Sequence, residues 1–206
     1  MKTKERQFGV LSLMIFVLLI MPPVRAGLEW SMTTHVAVQF AGLALAGWLL
    51  GAALRRMLVR PMQYVDANGL CGLAISLFAA LFWMLPRTLD DALGDLRFEI
   101  AKLVSVPLLV GFPIALSWPR LHPILRGVLK STLISKLVVL GWLYTAAPTR
   151  FCLSYFQSDQ TLLGELFLCL AGALALAWSI PWFVAAQTAS RDGLAATETA
   201  ARAECI

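Results

Sequence analysis

Met32, His35 and Gln39 stand at i, i+3 and i+7 near the start of an apolar run, so on a helix they share one face. One imidazole with thioethers makes a soft donor set, and Met84 at the end of the next apolar run would complete a metal site of His35, Met32 and Met84 suited to Cu(I). Cys152 could join it from a later loop. The same side chains also suit plain packing and interface roles in a Met-rich chain, and both readings stay open. Glu99 and Lys102 are three apart with the acid first, an order worth about 0.2–0.5 kcal/mol to a helix in water. Glu165 falls about a turn inside an apolar helix. A carboxylate at such a place in a membrane is a functional candidate, and its plainer role is as a partner for Arg150, Lys102 or a neighbouring Thr. Asp159, next to Gln160, is placed to cap that helix by accepting backbone N–H bonds.

The remaining reactive residues are dispersed. Cys71, Cys152, Cys169 and Cys205 are spread over segments that predict no disulfide scaffold, and His122 lies in a basic loop where a lipid headgroup contact is expected. Neither a Gly-rich phosphate loop nor a nucleophile–histidine–acid arrangement is present, so the sequence does not point to an enzyme.

These residues are embedded in a chain that is 59% hydrophobic and only 14% charged, whereas soluble domains carry about 25% charged residues. An integral membrane protein is expected, all-α, a polytopic bundle of about six transmembrane helices of roughly 20 residues each. The net charge of +5 comes without a nucleic-acid motif and reads as the cytoplasmic Lys/Arg bias of membrane proteins. No nucleic-acid partner is expected; the lipid bilayer is.

Lys2, Lys4 and Arg6 precede an apolar stretch from Phe8 to Met21, the layout of a signal anchor or of a signal peptide ending near Val24-Arg25-Ala26. Retention gives an even number of spans. The other five apolar segments run over about residues 33–54, 69–85, 100–118, 132–147 and 162–184, the fifth weakened by Lys136. Connections alternate in charge, with twelve Lys/Arg on one side and five (Arg25, Arg87, Arg97, Lys102 and Arg150) on the other. The positive-inside rule then sets both termini in the cytoplasm of a multi-pass protein of a bacterial plasma (inner) membrane, with the 90–99 hairpin outside. This topology gathers Met32, His35, Gln39, Met84, Glu99, Lys102, Asp159, Gln160 and Glu165 near the outer leaflet.

Gly47-x-x-x-Gly51, with Gly42 and Ala46, predicts close helix approach in the second segment, as do Gly164 and Gly172 in the sixth. Pro107, Pro113 and Pro181 should free backbone carbonyls and kink their helices. Trp30, Trp83, Trp118 and Trp182 read as interface anchors. The chain divides into residues 1–30 (signal anchor or signal peptide and outer loop), 31–185 (the transmembrane bundle) and 186–206, a polar cytoplasmic tail expected to be a frayed helix or disordered.

Trp83-x-x-Pro86, Leu89-Asp90-x-Ala92 and Glu99 opening the next apolar helix, together with Met32-Thr33-Thr34-His35 upstream and Tyr144, Tyr155, Asp159-Gln160 and Gly164 downstream, follow one another in a recognisable order. In these segments the chain resembles the CtaG family of membrane cytochrome c oxidase assembly factors. The family has histidines at several places where this chain has Met84, Ile100 and Gln39. The resemblance implies a membrane bundle that assists oxidase assembly by handling copper at an outer-leaflet pocket, with oxidase subunits or copper chaperones as partners. Two alternatives stand beside it, a small metal or ion transporter using Glu165 and a metal-free scaffold subunit.

Overall fold

The computed structural model describes residues 2–147 and 156–204, with 181–204 as backbone alone. Arg150, Cys152, Tyr155 and Cys205 lie outside the described residues. Within them the chain is all helical: α1 Lys2–Ile20, α2 Pro22–Glu29, α3 Ala41–Val65, α4 Leu70–Trp83, α5 Pro86–Gly94, α6 Leu96–Ser105, α7 Phe112–Ser117, α8 Pro123–Ala146 and α9 Gln157–Glu204. Thr34–Phe40 is π-helical and leads into α3, and a second π-helical stretch, Val106–Gly111, joins α6 to α7.

Among the described residues three continuous helices are long and apolar enough to cross a membrane, Thr34–Met62, Leu96–Ser117 and Gln157–Ile180. α1 and α2 reach the same standard only as a pair, bent by 69° at Met21, where Pro22-Pro23 interrupts the hydrogen-bond ladder. α4, with 14 residues, is shorter, and α8 is long but carries Arg126, Lys130 and Lys136. α9 continues as helix to Glu204.

The bundle is built on α3. Ser12 of α1 donates to the Ala46 carbonyl at 2.7 Å, Gly9 faces Ala53, and Gly42 leaves room for Leu19. On another face α3 meets the α6–α7 span with backbone against backbone: a Cβ on Gly47 would collide with the Pro107 carbonyl, and one on Gly111 with the Ala44 carbonyl. The expected close-approach face is therefore real and extends through Gly51, whose Cβ would lie 2.7 Å from that of Ala115. Pro107, which has no N–H and whose ring displaces the carbonyl four residues back, sits at the start of the π-helical stretch. Its kink takes the form of a widened turn.

The α3–α4 connection is fixed by Asp66, which is buried. Its carboxylate accepts from the Cys71 and Gly72 amides at 3.1 and 2.9 Å, doing for the start of α4 what a capping residue does, while Gly69 takes the left-handed conformation at φ 74°. Arg120 donates to the Asp66 carbonyl at 3.1 Å and ties in the α7–α8 turn.

α8 and α9 form an antiparallel hairpin whose extensive packing is with each other. Gly141 and Gly164 face each other there, each leaving space for the other's carbonyl. The hairpin joins the rest through Tyr144, Leu163 and Phe167 in a shared apolar core with Met32 and Trp83, and through Thr33, whose hydroxyl donates to the Asp159 carbonyl at 3.4 Å. Trp83 is thus a core residue rather than an interface anchor, its indole N–H donating to Ser105 Oγ at 2.8 Å. Trp30 is exposed as expected of an anchor.

Candidate functional site: a buried charge cluster beneath α2

Lys102, one turn from the end of α6, is fully buried, and a long cation there demands partners. The bend at Met21 brings α2 across this position and supplies one. Lys102 Nζ donates to Glu29 Oε1 at 3.0 Å and to Gln39 Oε1 at 3.1 Å, while Gln39 Nε2 donates to the same Glu29 oxygen at 3.2 Å. The amide of Gln39 is therefore used at both ends, oxygen to the cation and nitrogen to the carboxylate. Beside it Arg25 forms an ion pair with Glu99, a charge contact rather than an aligned hydrogen bond, and lies 3.9 Å from Glu29. Two cations and two anions balance, so the cluster as a whole carries no net charge into the apolar interior.

His35 and Gln39, four residues apart on the π-helical stretch, share one face, and both are fully buried. Met32 is buried next to them, and the His35 ring packs at a tilt on Phe40, 5.5 Å between centroids. Phe40 packs in turn on Trp83. Gln160, also buried, donates to the Tyr144 carbonyl at 3.3 Å.

The expected outer set is only partly assembled. Met32, His35, Gln39, Glu99, Lys102 and Gln160 enter the core or its charge cluster, but Met84 is exposed at the end of α4 and Glu165 is exposed on α9. Glu99 and Lys102 do not pair along their helix; each reaches to α2 instead. Asp159 is in the first turn of α9 rather than before it, where its charge complements the positive helix end. His122 caps α8, its Nδ1 accepting from Ile124 N at 3.4 Å. Cys71 and Cys169 are exposed free thiols.

Among the described residues no three His, Cys, Asp or Glu side chains converge, and of the expected metal set His35 and Met32 are buried whereas Met84 is exposed. A cation already occupies the acceptors that the cluster offers. What the site can do is hold α2 against α3 and α6 through charge.

Arg25 and Glu29 were not visible as site residues in the sequence, where Arg25 reads as the flank of a cleavage motif. Their i, i+4 spacing with opposite charge, between two apolar runs, was the available signal. Comparison with family models, with curated proteins and with solved structures gives no match to this chain.

Proposed function

We propose that the protein is a membrane-embedded assembly factor of a respiratory cytochrome c oxidase, acting by contact with other membrane proteins rather than as a copper carrier. The supporting observation is convergence. Met32, His35, Gln39, Trp83, Glu99, Lys102, Tyr144 and Gln160, distributed over the segments that resemble the CtaG family, meet in one core and its adjoining charge cluster. Scattered likenesses in unrelated positions would give no reason for that. A transporter is less well supported, because the cluster's charges are spent on each other and on holding α2.

Deletion of the gene is expected to lower active terminal oxidase severalfold while other respiratory complexes keep their levels, and added copper should not restore it. Oxidase activity and haem spectra of membranes measure this. Unchanged oxidase in the deletion strain would reject the assembly role, and rescue by copper would return the metal reading.

The topology proposed with this function has six spans, α4 and α8 included, with both termini cytoplasmic in a bacterial inner membrane. Twelve basic residues on one side against five on the other support it. A cysteine at Asp91 should react with an impermeant thiol reagent in intact cells and one at Arg126 should not, both in a background with the native cysteines replaced. The reverse pattern inverts the orientation.

A further inference from the structure

Glu165 is an exposed carboxylate on a helix apolar enough to cross a membrane, and among the described residues nothing pairs with it. It lies three residues past Leu162, where the apolar run begins, about 4.5 Å along the axis. Leu162, Leu166 and Cys169 around it are also exposed, so its surroundings in a bilayer are apolar. A glutamate lacks the long aliphatic stem with which a lysine or arginine carries its charge outward. Such a charge is costly unless a partner meets it.

The same face is shaped for close approach. Gly172 and Leu176 follow Glu165 at i+7 and i+11, both exposed, and a Cβ added to Gly172 would meet nothing within 4 Å. Gly164, by contrast, is already covered by α8. Only 22% of the most apolar part of this span is buried within the protein. Small residues where backbones can touch, with one polar group beside them, are what joins transmembrane helices to each other.

We infer that this face of α9 is the docking surface for a transmembrane helix of another protein, one carrying a lysine or arginine at the depth of Glu165. Charge selects that occupant. Residues 157–180 contain no cation, so a second copy meeting this one across a two-fold axis would bring like charges together at the centre of the contact. The inference needs the membrane reading but not the oxidase, so it stands or falls separately from the assembly role.

The test uses the full-length protein in phosphatidylcholine vesicles with synthetic apolar helices of about 20 residues. The peptides carry a single lysine, arginine or leucine at matching depth, and association is followed by energy transfer. The lysine and arginine peptides should bind about tenfold more tightly than the leucine peptide, the scale of one interhelical polar contact. Glu165→Leu should erase that difference, Glu165→Gln should keep part of it, and Gly172→Leu should weaken all three peptides while thermal stability stays unchanged. Equal binding of the three peptides, or a lysine preference that survives Glu165→Leu, would overturn the proposal. So would self-association of the protein that Glu165→Leu abolishes, since that assigns the face to a second copy.

Discussion

Gly111→Leu, and equally Gly47→Leu, is expected to prevent recovery of a monodisperse folded protein, and even alanine at either position should lower thermal stability sharply. Most small-to-large changes in a core are absorbed by side-chain rotamers and cost about 1–3 kcal/mol. Here the obstacle is backbone. The Cβ of residue 111 would strike the Ala44 carbonyl and stand 2.7 Å from the Trp48 amide nitrogen, and that of residue 47 would stand 2.7 Å from Pro107 Cα. Neither helix can yield without breaking its own ladder, and moving α3 away from the α6–α7 span would also strip Ser76 of its bond to the Val110 carbonyl, now 3.0 Å, if α4 follows α3. A cost of roughly 3 kcal/mol or more follows for the alanine change, at the top of the usual range for overpacking. Gly127→Leu is the control, because nothing lies within 4 Å of a Cβ there. Thermal unfolding in detergent compares the three, and equal stability of Gly111→Ala and Gly127→Leu would mean that the helices do not cross at these glycines.

Lys102→Met is the second large effect. Removing one member of a buried ion pair costs about 3–5 kcal/mol, because the remaining charge loses its counter-ion without regaining its solvent. The low end applies here, because Glu29 keeps the Gln39 amide and Arg25 at 3.9 Å. Glu29 would be that charge: its side chain is 17% exposed, while Lys102 has no exposure at all. Glu29→Gln in the same protein removes the stranded charge and should recover more than half of the loss, so the double-mutant cycle gives a coupling of roughly 2 kcal/mol. The exposed pair of Arg56 with Glu5 supplies the contrast, and Arg56→Met should cost no more than about 1 kcal/mol. Additive losses for Lys102→Met and Glu29→Gln would show that the two side chains do not meet.

The features legible in the sequence were those written in local composition. Apolar runs marked the spans of α3, α6–α7 and α9, the Gly47-x-x-x-Gly51 spacing marked the close crossing, and Pro107 marked a distorted helix. Charge placement was read less well, for a physical reason. Lys102 and Glu29 are 73 residues apart, and a charge at the edge of an apolar run looks the same whether it meets headgroups or another helix. Only the 69° bend after Ile20 decides between these, and a Pro-Pro pair there also fits the end of a signal peptide. The π-helical turns escaped because an i→i+5 ladder leaves no mark in apolar periodicity counted at 3.6 residues, in which His35 and Gln39 already share a face. Asp66 escaped because its capping targets are five and six residues on, beyond the spacing at which a cap is sought.

The brevity of α4 bears on the six-span topology proposed above. Fourteen helical residues extend about 21 Å, whereas a hydrocarbon core is about 30 Å thick. Ile75, Leu77, Phe78 and Leu81 of α4 are exposed. If α4 is a span, lipids beside it would have to compress, at fractions of a kcal/mol for each ångström of mismatch, while those beside the longer α3 and α9 would not. In that topology the bilayer would be pinched on one flank, and hydrophobic thickness would add a sorting rule of its own to any recognition by charge.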